Sequence, residues 1–472
     1  MFKNNTKTLK NTLFFLFFIL QNLNYAVAQQ RGTDDTQAFF IKSIYSYSLS
    51  KGLAYDWLRT LCTQAGPRIS GSSTAAGAVE LMRQTMDTLG FDKVYLQPCS
   101  VPRWVRGAAE QVRVVGSATQ GDLTLHAFAL GNSVATPENG ITAEVIEVQG
   151  LDEAEKLGEQ LRGKIVFYNR AMDATQVSTF AAYSGAVDQR VYGPAKAAKF
   201  GALAAIVRSV GSSLDDFPHT GVTHYDEKGV EIPAVAISTN DAERLSALLK
   251  TEQKIRVFIK TNCKNMGKVP SFNVIGEIKG SRYPNEIIAV GGHLDAWDVG
   301  QGAHDDGAGV VHSIQAIYTL IKLGYKPQRT LRCVLFMNEE NGLAGGEEYA
   351  RVSNERKEKH IAAIESDAGG FTPRGFQTEA DESVFIPEMK QILKFEDLFS
   401  PYDITIKKGG SGADISPLKS QKGLLIGFRP DSQRYFDIHH TAEDTFAKVN
   451  KRELHLGAAA ISALIYLMDS NW

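Results

Sequence analysis

The chain has 472 residues, 43% of them hydrophobic and 22% charged, a globular composition that excludes disordered, collagen-like and fibrous classes. Its 51 basic and 53 acidic side chains leave a formal net charge of −2, without the basic excess that a nucleic-acid partner requires. The single long apolar run sits at the extreme N-terminus, which excludes a multi-span membrane protein, and the length suits two or three domains.

That run reads as a secretory signal. Lys3, Lys7 and Lys10 precede the apolar stretch 13–20 (LFFLFFIL), and Ala26-Val27-Ala28 is a small-x-small cleavage site. Residues 1–28 are therefore expected to be removed. The mature protein is then secreted or periplasmic, with no membrane span, since so short a run cannot cross a ~30 Å hydrocarbon layer. Residues 36–64 carry the apolar spacing of two helices, stopped at Gly66-Pro67, and Ser72 or Ser73 can cap a third over 74–89. Residues 93–116 alternate as a strand, closing a first segment of the catalytic domain over 29–117. Residues 118–262 change character, with short β-runs (GKIVFYNRA, GALAAIVRSV, IPAVAIST) among alanine-rich helical stretches. This is read as a separate α/β module holding none of the convergent chemistry. From 263 to 472 strands alternate with helices: FNVIGEIKG, EIIAVGGH, a helix from Gly309, LRCVLFM, a helix near 343–353, IAAIES, a helix, GLLIGF and a helix over 454–468. The pattern predicts an α/β fold, a mostly parallel sheet flanked by helices. Of the four cysteines, Cys333 falls in a buried strand and is expected to be a free thiol. Cys62–Cys99 is the one candidate bridge, and Cys263 has no assigned partner.

In open α/β sheets ligands gather beyond the carboxyl ends of the strands. Here the strand ends lead into Gly291-Gly292-His293-Leu294-Asp295, the glycine-rich Gly302-Ala303-His304-Asp305-Asp306-Gly307, Asn338-Glu339-Glu340, Asp367 and His439-His440-Thr441-Ala442-Glu443-Asp444. So many carboxylates in one cleft would repel one another and resist burial. Divalent cations remove that cost. Two histidines and three carboxylates can hold two of them if one carboxylate bridges, and mixed nitrogen and oxygen ligation suits zinc over calcium or magnesium.

The set GGHLDAWDVGQGAHDDGAG, NEE, ESDAGG and HHTAEDT closely resembles the two-zinc exopeptidase family of zinc aminopeptidases and glutamate carboxypeptidases. The likeness extends to AGPRISGS and to the middle module (GKIVFYN, PHTG). The resemblance implies that 118–262 is an inserted protease-associated domain. It implies two Zn2+ per chain, with His293 and Asp367 on one, Glu340 and His440 on the other, and Asp305 bridging. It further implies a cis Asp305-Asp306 bond and Glu339 as general base. Asp295 is expected to accept from the His293 imidazole, and Asp444 from that of His440. His439 precedes the inferred ligand, and spacing alone does not separate the two; the family pattern favours His440. His304 is expected not to ligate. Ser411, in a loop similar to a substrate-side loop of relatives, and Tyr435, as a donor to a developing oxyanion, are candidate substrate residues. The implied function is a secreted exopeptidase that hydrolyses dipeptides or short peptides with free ends through a metal-activated hydroxide, as a homodimer. The alternatives are an aminopeptidase on longer peptides, a non-catalytic receptor-like relative and a single-zinc glutaminyl cyclase-like enzyme.

Overall fold

The computed structural model describes residues 35–472. The expected signal peptide, residues 1–28, lies outside the described residues. Helices over 35–51, Ala54–Gln64 and Ser73–Asp87 form where the apolar spacing placed them. The Ser72 hydroxyl caps the third by accepting the Ala75 N–H at 3.0 Å.

The central sheet has eight strands, in spatial order Lys93–Val105, Lys264–Ile278, Arg329–Phe336, Tyr283–His293, Lys359–Glu365, Leu424–Pro430, Pro373–Glu379 and Thr405–Lys408. The four in the middle, from Arg329–Phe336 to Leu424–Pro430, run parallel. Arg329–Phe336 is buried at every position, as a strand covered on both faces must be. Helices Ala308–Lys322 and Lys451–Asn471, both almost wholly buried, pack together on one side. The expected mixed α/β architecture is found, and it brings the carboxyl ends of four parallel strands to one edge. Two further strands lie outside the expected pattern. Pro373–Glu379 and Thr405–Lys408 extend the sheet, the first antiparallel to Leu424–Pro430, where a helix alone was expected. Thr405–Lys408 is the edge, and its charged, largely exposed pattern (TIKK) is that of one, while Pro373–Glu379 (PRGFQTE) lies beside it, paired on both sides.

A second eight-stranded sheet is built wholly from residues between Lys93–Val105 and Lys264–Ile278. Those two strands pair antiparallel along their length, a ribbon that leads out of the central sheet and back. The strand expected over 93–116 is divided: Gln111–Ser117 pairs with Arg256–Lys260 in the second sheet. The change of sheet therefore precedes Gln111 rather than falling at 118. The break comes where Gly107 adopts a φ of +85°, which ends a strand without steric cost for glycine alone.

The expected Cys62–Cys99 bridge is not formed. Cys62, Cys99, Cys263 and Cys333 are all free and buried. Cys62 faces the core from a helix and Cys99 from a strand, and burial pushes both thiols up to about 12. No described helix is long and apolar enough to cross a membrane.

Candidate metal centre

His293 is the last residue of its strand, Glu339 and Glu340 follow the strand ending at Phe336, and Asp367 follows the one ending at Glu365. Asp305 stands in the glycine-rich loop before helix Ala308–Lys322, and His440 follows the short helix Tyr435–Ile438. The structure brings all six together. Asp305 lies between the two imidazoles: its Oδ1 is 3.2 Å from His293 Nε2 and its Oδ2 is 3.1 Å from His440 Nε2. Asp367 Oδ1 stands 3.5 Å from His293 Nε2, and Glu340 Oε2 stands 3.2 Å from His440 Nε2.

These separations suit a cation. A tetrahedral ion with bonds of ~2.0–2.2 Å sets its donors roughly 3.3–3.6 Å apart. His293 Nε2 and Asp305 Oδ2 are buried without a hydrogen-bond partner, and native proteins rarely leave such atoms unpaired. The rings are oriented to match. His293 Nδ1 lies 3.0 Å from the Asp295 carbonyl, and His440 Nδ1 lies 3.3 Å from the Thr220 carbonyl. A carbonyl only accepts, so each Nδ1 carries a hydrogen and Nε2 is the nitrogen turned to the shared space, where a neutral ring offers its lone pair. The donor set thus fits two ions bridged by one carboxylate.

The groups hold each other's protons. Burial opposes charge on His293, but contacts with Asp305 and Asp367 keep its imidazole well above the usual range. Burial likewise opposes His440, yet Glu340 and Asp305 raise it to about 10. Asp305, despite burial, is held well below the carboxylate range by the two imidazoles. Burial and the Asp305 charge lift Glu340 to about 7. Burial, reinforced by Asp367, Glu340 and Asp305 against the pull of His293, lifts Glu339 well above its usual value.

Two supporting carboxylates have partners other than those expected. The Asp295 carboxylate does not take the His293 hydrogen. Its Oδ1 is 3.9 Å from Nδ1, and it accepts instead the N–H groups of Asn338 (2.7 Å) and Glu339 (3.1 Å); the carbonyl of the same residue is nearer the ring. Asp444 does not reach the His440 ring but accepts the N–H groups of His304 (2.8 Å) and Asp305 (3.0 Å), fixing the loop that carries the bridging group. The Asp305-Asp306 peptide is cis, as the resemblance implied. Asp306 spends its carboxylate on the N–H groups of His293 and Gly309.

His304 accepts from the Gly370 N–H at 3.1 Å and stacks on Phe371, away from the cluster. His439 stacks on His440 with ring centroids 3.5 Å apart and stands 3.4 Å from Asp305 Oδ2. His440 contacts Glu340 as well, and that second contact distinguishes it. Ser411 is buried and donates to Glu379 at 2.7 Å; from its loop it is Ala413 that lines the cavity. Tyr435 does line it, its phenol pushed well above the usual range by burial and by Asp305 and Asp367.

The cavity over the cluster has a volume of about 320 Å³. None of the six clustered side chains comes from the middle segment, but Phe180, Tyr183, Arg190 and Val222, all from the second unit, form one wall of the cavity. Arg190 is 5% exposed, and its Nε and Nη1 have no hydrogen-bond partner. No periodicity marks it among the residues of its helix, Asp188–Lys199. Arg68 carries no such mark in the sequence either. Fully buried, it donates to the carbonyls of Leu294 (2.6 Å), Gln301 (2.7 Å) and Gly302 (2.9 Å), clamping the loop between His293 and Asp305. A larger hollow of about 510 Å³ opens at the opposite edge of the sheet, but its central Arg332 is already paired with Glu277 and Glu358.

Residues 273–465 match the model of peptidase family M28. Carboxypeptidase Q of Bos taurus is 36% identical over 428 residues, covering 89% of this chain and 86% of the relative. The chain belongs to peptidase family M28. A peptidase M28 precursor from Shewanella amazonensis superposes with a TM-score of 0.86 at 32% identity, covering 92% of this chain and 97% of that one. A zinc aminopeptidase from Bacillus subtilis shares the fold, with a TM-score of 0.63 at 20% identity over 88% of this chain and 94% of its own. The expected enzyme class, a metallopeptidase, is that of the family.

Proposed function

We propose that this M28 peptidase is a two-zinc exopeptidase that hydrolyses dipeptides and other short peptides with a free C-terminus. His293 and Asp367 would hold one ion, Glu340 and His440 the other, and Asp305 would bridge them. When bound, the pair would supply Lewis-acid polarisation of the scissile carbonyl and an activated water. Glu339 lines the same cavity without being needed as a ligand. It is placed to take the water proton and hand it to the departing amine. The Bos taurus relative is named a carboxypeptidase and the Bacillus subtilis neighbour a zinc aminopeptidase, so the comparisons leave both ends of a peptide open.

The observation that carries the choice of end is Arg190. A buried guanidinium without an anion is costly, and a planar fork facing a cavity is suited to a carboxylate. Its guanidinium rests on Gly221, where a Cβ would come within 2.4 Å of Arg190 Cζ, so it has little room to withdraw. A free α-carboxylate on the substrate supplies the missing charge. The unit that carries Arg190 is read as an inserted protease-associated domain, and the N-terminal pattern supports export from the cytoplasm.

A panel of dipeptides and tripeptides with free or amidated C-termini, read by mass spectrometry, tests this reading. Free dipeptides are expected to be cleaved and their amides to be poor substrates. Arg190→Gln should raise KM for free dipeptides by about 10–100-fold, the worth of a charged hydrogen bond, and leave the amides unaffected. Equal cleavage of free and amidated peptides by the wild type would remove the carboxylate assignment.

Zinc uptake should also depend on pH in a stated direction. Glu340 and Asp305 raise the His440 imidazole to about 10, and Asp305 and Asp367 raise that of His293 well above its usual range, so without the ions both rings favour holding a proton where zinc would sit. Ligation needs them neutral and needs Glu340, lifted to about 7, ionised, so zinc binding must displace protons. Calorimetry in two buffers of different ionisation enthalpy should record that release, with affinity climbing as pH rises from 6 towards 8. Zinc binding without proton release would contradict it.

A further inference from the structure

His440 takes its support from outside the central sheet. Its Nδ1 donates to the Thr220 carbonyl at 3.3 Å, and the Thr220 N–H donates back to the His440 carbonyl at 3.0 Å. The two peptides thus close a ring across the junction of the two units. His440 needs that hold, because its backbone has a φ of +63°, a left-handed conformation that L-residues with a Cβ adopt at a cost. Thr220 is itself firmly seated. Its hydroxyl donates to the Ala129 carbonyl at 2.8 Å and receives a longer contact, 3.4 Å, from Arg106. The next residue, Gly221, accepts from the Gly131 N–H at 2.9 Å. Gly131 in turn lies flat on Trp297, where any Cβ would overlap the indole. Arg106 closes the circuit by pairing with Asp298, in the loop after His293.

We infer that Thr220 is a positioning residue of the metal centre: its carbonyl fixes His440 as the Nδ1–H tautomer and its amide holds the His440 peptide in its left-handed turn. The second unit then does more than wall the cavity. Its docking sets how well the Asp305, Glu340 and His440 group binds an ion, although Thr220 touches neither ion nor substrate. Partners that orient a ligating imidazole in this way are worth about 10–100-fold in metal affinity. The inference rests on the two-zinc reading above.

The test is Thr220→Val, which keeps the β-branched shape but removes the hydroxyl that anchors the loop. Zinc affinity, measured by competition with a fluorescent chelator, is expected to weaken about 10–100-fold for one of the two ions and to stay unchanged for the other. Thr220→Ser should restore it. KM for a free dipeptide at saturating zinc should not move, because Arg190 is untouched. A second measurement uses the wild type: cobalt-substituted protein should show two slowly exchanging, paramagnetically shifted imidazole N–H resonances in its proton NMR spectrum. The one lost in His440→Gln should exchange faster in Thr220→Val. Wild-type affinity for both ions in Thr220→Val would overturn the inference, as would rapid exchange of the His440 N–H in the wild type. If the wild type takes up no zinc at all, the proposed function fails first. If it takes two and Thr220→Val is indistinguishable from it, only the role of Thr220 is lost.

Discussion

Glu339→Gln is expected to keep its full metal content by elemental analysis and to lose about 10²–10⁴-fold in kcat on a free dipeptide, with KM little changed. The expectation follows from what Glu339 does and does not touch. Its N–H is tied to the Asp295 carboxylate at 3.1 Å, and Glu340 beside it takes the Trp297 N–H at 3.2 Å and faces His440. One of the two adjacent carboxylates is thus committed to the cluster while the other borders open cavity. The amide of glutamine preserves shape and most contacts but cannot accept a proton, so binding survives and proton transfer does not. The loss corresponds to about 3–5 kcal/mol of transition-state stabilisation at 1.36 kcal/mol per decade. The raised proton affinity of Glu339 is part of the same account. Burial and three neighbouring carboxylates favour the protonated form, and positive charge brought into the cavity would draw it back towards ionisation. A carboxyl poised between these forms can hold a proton between water and leaving group. Wild-type turnover in the variant would exclude Glu339 as the base, and loss of one metal ion would make it a ligand instead.

Much of the centre was legible because the chemistry follows the sheet. Strands buried on both faces must be continuous apolar runs, so VLFM, IIAV and IAAI announce themselves, and the first polar residues beyond them stand at one edge of the sheet. His293, Glu339, Glu340 and Asp367 all occupy such positions. What the sequence could not carry is docking. Arg190 and Thr220 sit in a unit whose own core is satisfied without them, and Arg190 reaches the cavity and Thr220 reaches His440 only because a ribbon of two paired strands folds that unit back over the site. Neither residue lies on a periodic face that would mark it. A finer loss concerns which oxygen of a residue is used. Asp295 stands two positions from His293, which suggests a carboxylate on the ring, yet the chain turns so that the peptide carbonyl arrives there and the side chain clamps Asn338 and Glu339 instead. Asp444 is the same lesson: proximity in sequence to His440 concealed a role at the Asp305 backbone on the far side of the loop.

Asp305→Ala is the substitution expected to do most harm to the centre itself. Asp367 and Glu340 each face one imidazole, whereas Asp305 presents Oδ1 to His293 and Oδ2 to His440 and so contacts both halves. It is also the carboxylate held well below its usual range, and so keeps its charge more firmly than Glu340 and Glu339, which burial lifts. On the two-zinc proposal, removing it would take a ligand from both ions at once and leave two imidazoles facing each other with no negative charge between them. Zinc per chain should fall from two to one or none, and kcat/KM should drop by more than about three decades, roughly 4 kcal/mol. Fold should be retained, because the Asp306 and Asp444 carboxylates that secure the loop backbone are untouched. Asp305→Asn separates the two parts of the effect: it keeps the shape and one acceptor oxygen, so a single ion can remain while the bridge is lost. Two ions bound with wild-type affinity in Asp305→Ala would show that another group joins the halves. His439, 3.4 Å from the same oxygen, would then be the residue to replace next.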